Sequence, residues 1–207
     1  MSAVITGVVV IDAANPDVTT LARAAAVLRA GGLVAFPTET FYGLGAAADD
    51  SAAVRRVFGV KGRDEGKPLL VLVDSIAMAE RVAEVTARAR ALMARHWPGA
   101  LTLVMRVRPG LPADVTAGTG TIGVRLSPHP VARGLVSALG SPVTAPSANL
   151  ADAPPPTTAA AVRAVFEGAV DLVLDGGLTT GGPPSTVVDV TSGAPRVLRQ
   201  GAVTLCA

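Results

Sequence analysis

Short apolar strands and amphipathic helices intermix along the whole chain without a regular βαβ beat. No other feature narrows the fold so far, and it favours one mixed-sheet α/β domain over a barrel or a bundle. The helical stretches are Asp17–Ala30, ended by Gly31–Gly32, then Ser51–Phe58 with Ser51 as cap, Ser75–Arg95 as one piece or two, Pro130–Leu139 and Thr157–Phe166. The strand patterns are Leu33–Phe36, stopped by Pro37, then Pro68–Val73, Leu101–Val107, Thr121–Leu126, Pro142–Ala145, Asp171–Leu174 and Ser185–Val190. Arg196–Arg199 and Ala202–Leu205 read as a closing strand pair around Gly201. Lys61–Lys67, Pro109–Gly120 and Gly176–Pro184 read as loops, and Pro154–Pro156 as a surface turn rather than a domain break.

Composition trims the function classes. Apolar residues are 50% of the 207 and charged residues 16%, which excludes a disordered chain. Mean hydropathy is +0.49, yet no run approaches the roughly 20 apolar residues of a spanning helix. Met1–Ser2–Ala3 lacks a basic segment followed by an apolar run, so the expectation is a cytoplasmic protein with no membrane partner. A net charge of +2 permits a nucleic-acid partner without arguing for one. Cys206 is the only cysteine, and His96 and His129 are the only histidines. No internal disulfide, cysteine-based zinc site or three-histidine metal site follows from that set, and no metal ligands are assigned. Aromatics at 3% disfavour a base-stacking platform.

The chemistry that remains is cationic and polar. There is no phosphate-loop motif, no G-x-G-x-x-G after the first strand and no G-x-S-x-G nucleophile turn. Lys61 and Lys67 are the only lysines and flank Arg63, a set that suits phosphates or makes a solvated basic turn. Pro37–Gly45 follows a buried strand and offers Thr38, Glu39, Thr40 and Tyr42, either around a ligand or as an ordinary turn. Arg125 sits in an apolar strand, on one side with Gly123 and Thr121, and so needs an anion from the protein or from a substrate. Ser147 and Asn149 share a side if their stretch is extended. Such residues suit positioning and charge stabilisation in phosphoryl or nucleotidyl transfer.

Taken in order, several segments resemble the YrdC-like threonylcarbamoyl-AMP synthases. They are Gly31–Gly45, Lys61–Gly62–Arg63 with Lys67–Pro68–Leu69, Trp97–Thr102, Gly123–Val124–Arg125, Ala145–Asn149, Ser185–Asp189 and Leu198–Gly201. The resemblance covers about Asp17 to Val203 and implies a single YrdC-like domain over 1–207. The fold it implies is a twisted mixed β-sheet with flanking helices, like that of double-stranded-RNA-binding relatives. It implies a nucleotidyltransferase: L-threonine and bicarbonate form a carbamate that attacks ATP, giving threonylcarbamoyl-AMP and pyrophosphate. A separate tRNA-modifying transferase complex then passes the group to the anticodon-adjacent adenosine of tRNA. Mg²⁺ accompanies the ATP, and direct tRNA binding is left open. On this resemblance Lys61, Arg63, Ser147, Asn149, Ser185 and Arg199 surround ATP, while Thr38, Thr40, Tyr42 and Arg125 surround threonine and bicarbonate. Lys61, Arg63, Thr38 and Arg125 are the catalytic candidates. Phe41, Ala145–Pro146 and Leu150–Asp152 depart from the family pattern. The alternative is a non-catalytic YrdC-like paralogue that binds tRNA or double-stranded RNA.

Overall fold

The structure, a computed structural model, describes residues 6–205; Cys206 lies outside them. The first half runs β1 (Gly7–Val10), α1 (Val18–Arg29), β2 (Val34–Pro37), β3 (Tyr42–Gly45), α2 (Ser51–Lys61), β4 (Leu70–Leu72), α3 (Ile76–Val82) and α4 (Ala87–His96). The second runs β5 (Leu101–Arg106), α5 (Ala113–Thr116), β6 (Thr121–Arg125), α6 (Pro130–Leu139), β7 (Val143–Thr144), α7 (Ala159–Phe166), β8 (Leu172–Asp175), β9 (Thr186–Asp189) and β10 (Arg196–Arg199). The mixed α/β class expected from the pattern is what forms.

The strands make two sheets. One has the order β1-β8-β2-β3 and the other β10-β9-β5-β6-β4-β7, each with parallel and antiparallel neighbours. They meet along β3 and the segment 143–148. Leu44 N donates to Pro146 O at 2.8 Å and Thr144 N to Ala46 O at 3.0 Å, and isolated bridges pair Gly43 with Ser147 and Ala47 with Val143. Pro142 and Pro146 bracket β7 and have no N–H to give, so the ladder breaks there instead of continuing as one sheet. One apolar core still serves both sheets, from Leu33, Val34 and Phe36 to Leu101, Leu103 and Val124.

Helices cover the sheets through single apolar stripes. On α6, Val131, Ala132, Leu135, Val136 and Leu139 are buried, the spacing of one helical face. Burying each larger member contributes about 1.5–3 kcal/mol. That stripe packs beside α1 and onto β2 and β4. Among the described residues, no helix is long and apolar enough to cross a membrane.

Several expectations change. Asp50, not Ser51, caps α2 by accepting from Ala53 N at 3.1 Å. The helix runs past Phe58 to Lys61 and stops only at Gly62, which takes a left-handed φ of 58°. The loop 109–120 contains the short helix α5. Ala202–Leu205 forms no strand; β10 pairs antiparallel with β9 instead. Tyr42–Gly45, part of the stretch read either as ligand-facing or as an ordinary turn, is a strand.

Candidate active site

A cavity of about 690 Å³ opens between the sheets, within the usual range of about 300–1,000 Å³ for small-molecule sites. Strand alternation builds its wall. Thr121, Gly123 and Arg125 point into it from β6, Thr102 and Val104 from β5, Val187 from β9, and Leu198 and Arg199 from the irregular edge strand β10. The hairpin between the sheets adds Thr38, Thr40, Phe41 and Tyr42, and the loop after β7 adds Pro146 and Ser147. Arg63 closes one side beside Pro68.

The cavity therefore gathers three guanidiniums. Arg125 is 4% exposed, and its Nη1 lies 2.8 Å from Glu39 Oε1. Arg63 and Arg199 have no carboxylate within ion-pair distance among the described residues. Arg63 donates to Pro68 O at 3.1 Å. Arg199 donates to Ser185 O at 2.8 Å and Ser185 Oγ at 3.1 Å, and Thr102 Oγ1 lies 2.9 Å from that hydroxyl. Burial pulls all three arginines below their usual range; Glu39 opposes the shift at Arg125, while neighbouring Arg199 adds to it.

Thr38 Oγ1 donates to Phe41 O at 2.7 Å and sits 3.3 Å from Thr40 Oγ1, so the two hydroxyls form one buried polar corner. Tyr42 contributes its ring. Its hydroxyl donates to Gly177 O at 2.7 Å and accepts from Gly176 N at 3.2 Å, so both of these hydrogen bonds go to main chain. Burial first, then Asp175, push that hydroxyl up to about 12.

Of the residues picked out in the sequence, Thr38, Thr40, Tyr42, Arg63, Arg125, Ser147, Ser185 and Arg199 come together on the cavity lining. Lys61 and Asn149 do not. Lys61 is 3% exposed and donates to Ser147 O and Asn149 O, both at 2.5 Å. Asn149 Nδ2 donates to Leu150 O at 2.8 Å and Ala153 O at 2.6 Å. Both side chains hold the turn that presents Ser147. Burial, then the adjacent Arg63 charge, lower the Lys61 ammonium to about 8. Lys67 is exposed and off the lining. The paired reading of the two lysines thus divides: one is a buried anchor, the other a solvated turn residue.

Sequence reasoning missed Glu39 as the partner of Arg125, and Thr102 as a lining hydroxyl. The requirement that Arg125 meet an anion was the available signal for Glu39. Four buried side-chain polar atoms among the described residues lack a hydrogen-bond partner: Glu39 Oε1, Arg63 Nε, Arg125 Nε and Asn149 Oδ1. All belong to this region. Glu39 Oε1 is still charge-paired with Arg125 at 2.8 Å; each of the other three costs about 1–3 kcal/mol when left without a partner.

The lining does not suit a resident divalent cation. It is guanidinium and hydroxyl, and no group of three or more His, Cys, Asp or Glu converges among the described residues. Mg²⁺ fits here only as part of an incoming nucleotide's phosphates, which hold it largely with water.

The Sua5/YciO/YrdC family, described as telomere recombination, matches residues 26–201. A threonylcarbamoyl-AMP synthase of Bacillus subtilis (strain 168) is 42% identical over 186 residues, 89% of this chain and 54% of its own length. One from Thiobacillus denitrificans is 39% identical over 175 residues, 84% of this chain and 92% of its own. The crystal structure of Pyrococcus abyssi Sua5 complexed with L-threonine matches with a TM-score of 0.91 at 40% identity, over 95% of this chain and 58% of that one. The chain spans about half the length of the Bacillus and Pyrococcus relatives.

Proposed function

Because the chain belongs to the Sua5/YciO/YrdC family, we propose that it is a nucleotidyltransferase that makes threonylcarbamoyl-AMP from L-threonine, bicarbonate and MgATP. The observation that carries this reading is the charge of the cavity, with three guanidiniums against one carboxylate. A triphosphate and an amino acid carboxylate are the anions such a set would bind, and a relative was crystallised with L-threonine.

The threonine nitrogen bonds to the bicarbonate carbon with loss of water, giving a carbamate. A carbamate oxygen then bonds to the α-phosphorus of ATP as the bond to pyrophosphate breaks. Arg63 and Arg199 hold phosphate charge, with the Ser185 and Ser147 hydroxyls beside them. Arg125 takes the threonine carboxylate, and Thr38 and Thr40 orient the carbamate end. Lys61 and Asn149 keep Ser147 in place, and Tyr42 walls the site. No protein base is needed for the attack, since the carbamate oxygen is already anionic. Charge stabilisation and alignment do the work. The product then goes to a tRNA-modifying transferase in the cytoplasm.

The test is pyrophosphate release from MgATP and bicarbonate, with and without L-threonine. Threonine-dependent release that falls by about two orders of magnitude in Arg63→Ala is the expected result, the size of one lost charge-stabilising donor. Folded, ATP-binding protein without threonine-dependent release overturns the reading. It would shift the function to the non-catalytic RNA-binding class, to be measured by tRNA titration.

A further inference from the structure

Arg125 lies on β6, between β5 and β4, in the interior of the larger sheet. A guanidinium buried there is costly unless paired, and among the described residues Glu39 is the only carboxylate within reach. Glu39 comes from the hairpin of the other sheet, so the pair spans the join. Glu39 is held once at its carboxylate and once at its main chain. Ser127 Oγ donates to Glu39 Oε2 at 2.5 Å, and that hydroxyl accepts from His129 N at 3.1 Å. The Glu39 carbonyl accepts from Thr180 Oγ1 at 2.6 Å. Glu39 does not line the cavity, whereas Arg125 does.

We propose that Glu39 is the positioning residue for amino-acid recognition, fixing the Arg125 fork so that its remaining N–H edge meets the substrate carboxylate. This rests on the threonylcarbamoyl-AMP reading above. The contact between Arg125 and Glu39 is close but not an aligned hydrogen bond, and Arg125 Nε has no partner. The guanidinium is held by charge through Nη1, and the residue faces the cavity. Bidentate carboxylate recognition needs such a fixed fork. Glu39 also offsets the repulsion between Arg125 and Arg199, which face the same cavity. The site is thereby divided: among the described residues Arg63 and Arg199 have no ion-pair partner and suit a triphosphate, while Arg125 is paired and suits a zwitterion.

Steady-state kinetics of Glu39→Gln, Glu39→Asp and Ser127→Ala separate this role from a structural one. For Glu39→Gln the KM for L-threonine is expected to rise on the order of tenfold, with kcat within about threefold and the KM for ATP within about twofold. Glu39→Asp keeps the charge and is expected to recover much of the loss. Ser127→Ala removes one support of the carboxylate and is expected to raise the threonine KM about threefold; it carries the test if Glu39→Gln does not fold. Equal rises in both KM values, or no rise in either, overturn the assignment of Glu39 while leaving the function intact. Wild-type protein that neither shows threonine-dependent pyrophosphate release nor binds L-threonine in calorimetry overturns the functional reading, and this proposal with it.

Discussion

The Lys61 ammonium reaches two backbone carbonyls, those of Ser147 and Asn149, from the last turn of α2. Hydrogen bonds from a charged donor contribute about 1.5–3 kcal/mol each, and carbonyls left without a donor cost more than carbonyls never buried. Lys61→Met is therefore expected to lose about 3 kcal/mol of stability in urea unfolding, and to slow pyrophosphate release by loosening Ser147. The pH dependence has a definite sign. Burial lowers the folded-state pKa to about 8 from the ordinary 10.5. Between those values the unfolded chain holds a proton that the folded chain has released, so the Lys61 contribution to unfolding free energy rises with pH. Tyr42 works the other way above pH 10, because its folded hydroxyl keeps its proton up to about 12. The stability gap between wild type and Lys61→Met should widen from pH 8 to pH 10; a flat or narrowing gap would refute the buried-ammonium account. Lys61 was legible in the sequence as a cation beside Arg63. Its role as an anchor was not, because Gly59 and Gly62 make the helix end look like loop.

At the scale of elements, the edge formed by β9 and β10 decides where Arg199 sits. Gly201, just past β10, lies against the start of β9. A Cβ there would stand 2.1 Å from Pro184 O, 2.6 Å from Ser185 C and 2.7 Å from Thr186 N, all main chain. Gly201→Ala must lift this segment, breaking Gly201 N to Thr186 Oγ1 at 3.0 Å and Ala202 N to Pro184 O at 2.9 Å. Overpacking of this kind costs about 1–3 kcal/mol. Because Arg199 is tied to Ser185 beside it, the ATP KM should rise while the threonine KM changes little. Urea titration with kinetics at varied ATP reads both effects, and an unchanged ATP KM would detach this edge from the nucleotide. Elements with one strong period were legible: α6 matches its sequence boundaries, and the alternation that puts Thr121, Gly123 and Arg125 on one side holds, with all three on the cavity lining. β3 was not legible, because Tyr-Gly-Leu-Gly has little strand propensity of its own and takes its form from pairing with β2. The expected strand at 202–205 failed for the complementary reason: Thr186 Oγ1 and Pro184 O take up the amides of Gly201, Ala202 and Val203, leaving no ladder to continue.

For the whole molecule, the question is whether two sheets behave as one unit. Among the described residues the two sheets are joined by hydrogen bonds where 42–48 runs beside 142–148, yet the apolar core is continuous across them and the cavity takes residues from both. Mixed patterning along the sequence pointed to one domain but gave no sign of the break, which depends on prolines placed where a ladder would otherwise run. A continuous core predicts a single cooperative transition. The chain carries its own reporters. Trp97, the only tryptophan, precedes β5 and donates to Leu101 O at 2.7 Å, so it follows the larger sheet. Tyr42, the only tyrosine, lies in β3 and follows the smaller one. Urea unfolding watched by Trp97 fluorescence and by Tyr42 absorbance should give coincident midpoints. MgATP at one hundred times its Kd should move both midpoints together, raising the unfolding free energy by about 2.7 kcal/mol. A ligand shift seen by Trp97 and not by Tyr42 would mean that the larger sheet binds nucleotide alone, and that the hairpin from Thr38 to Tyr42 closes on the site without being part of what holds it.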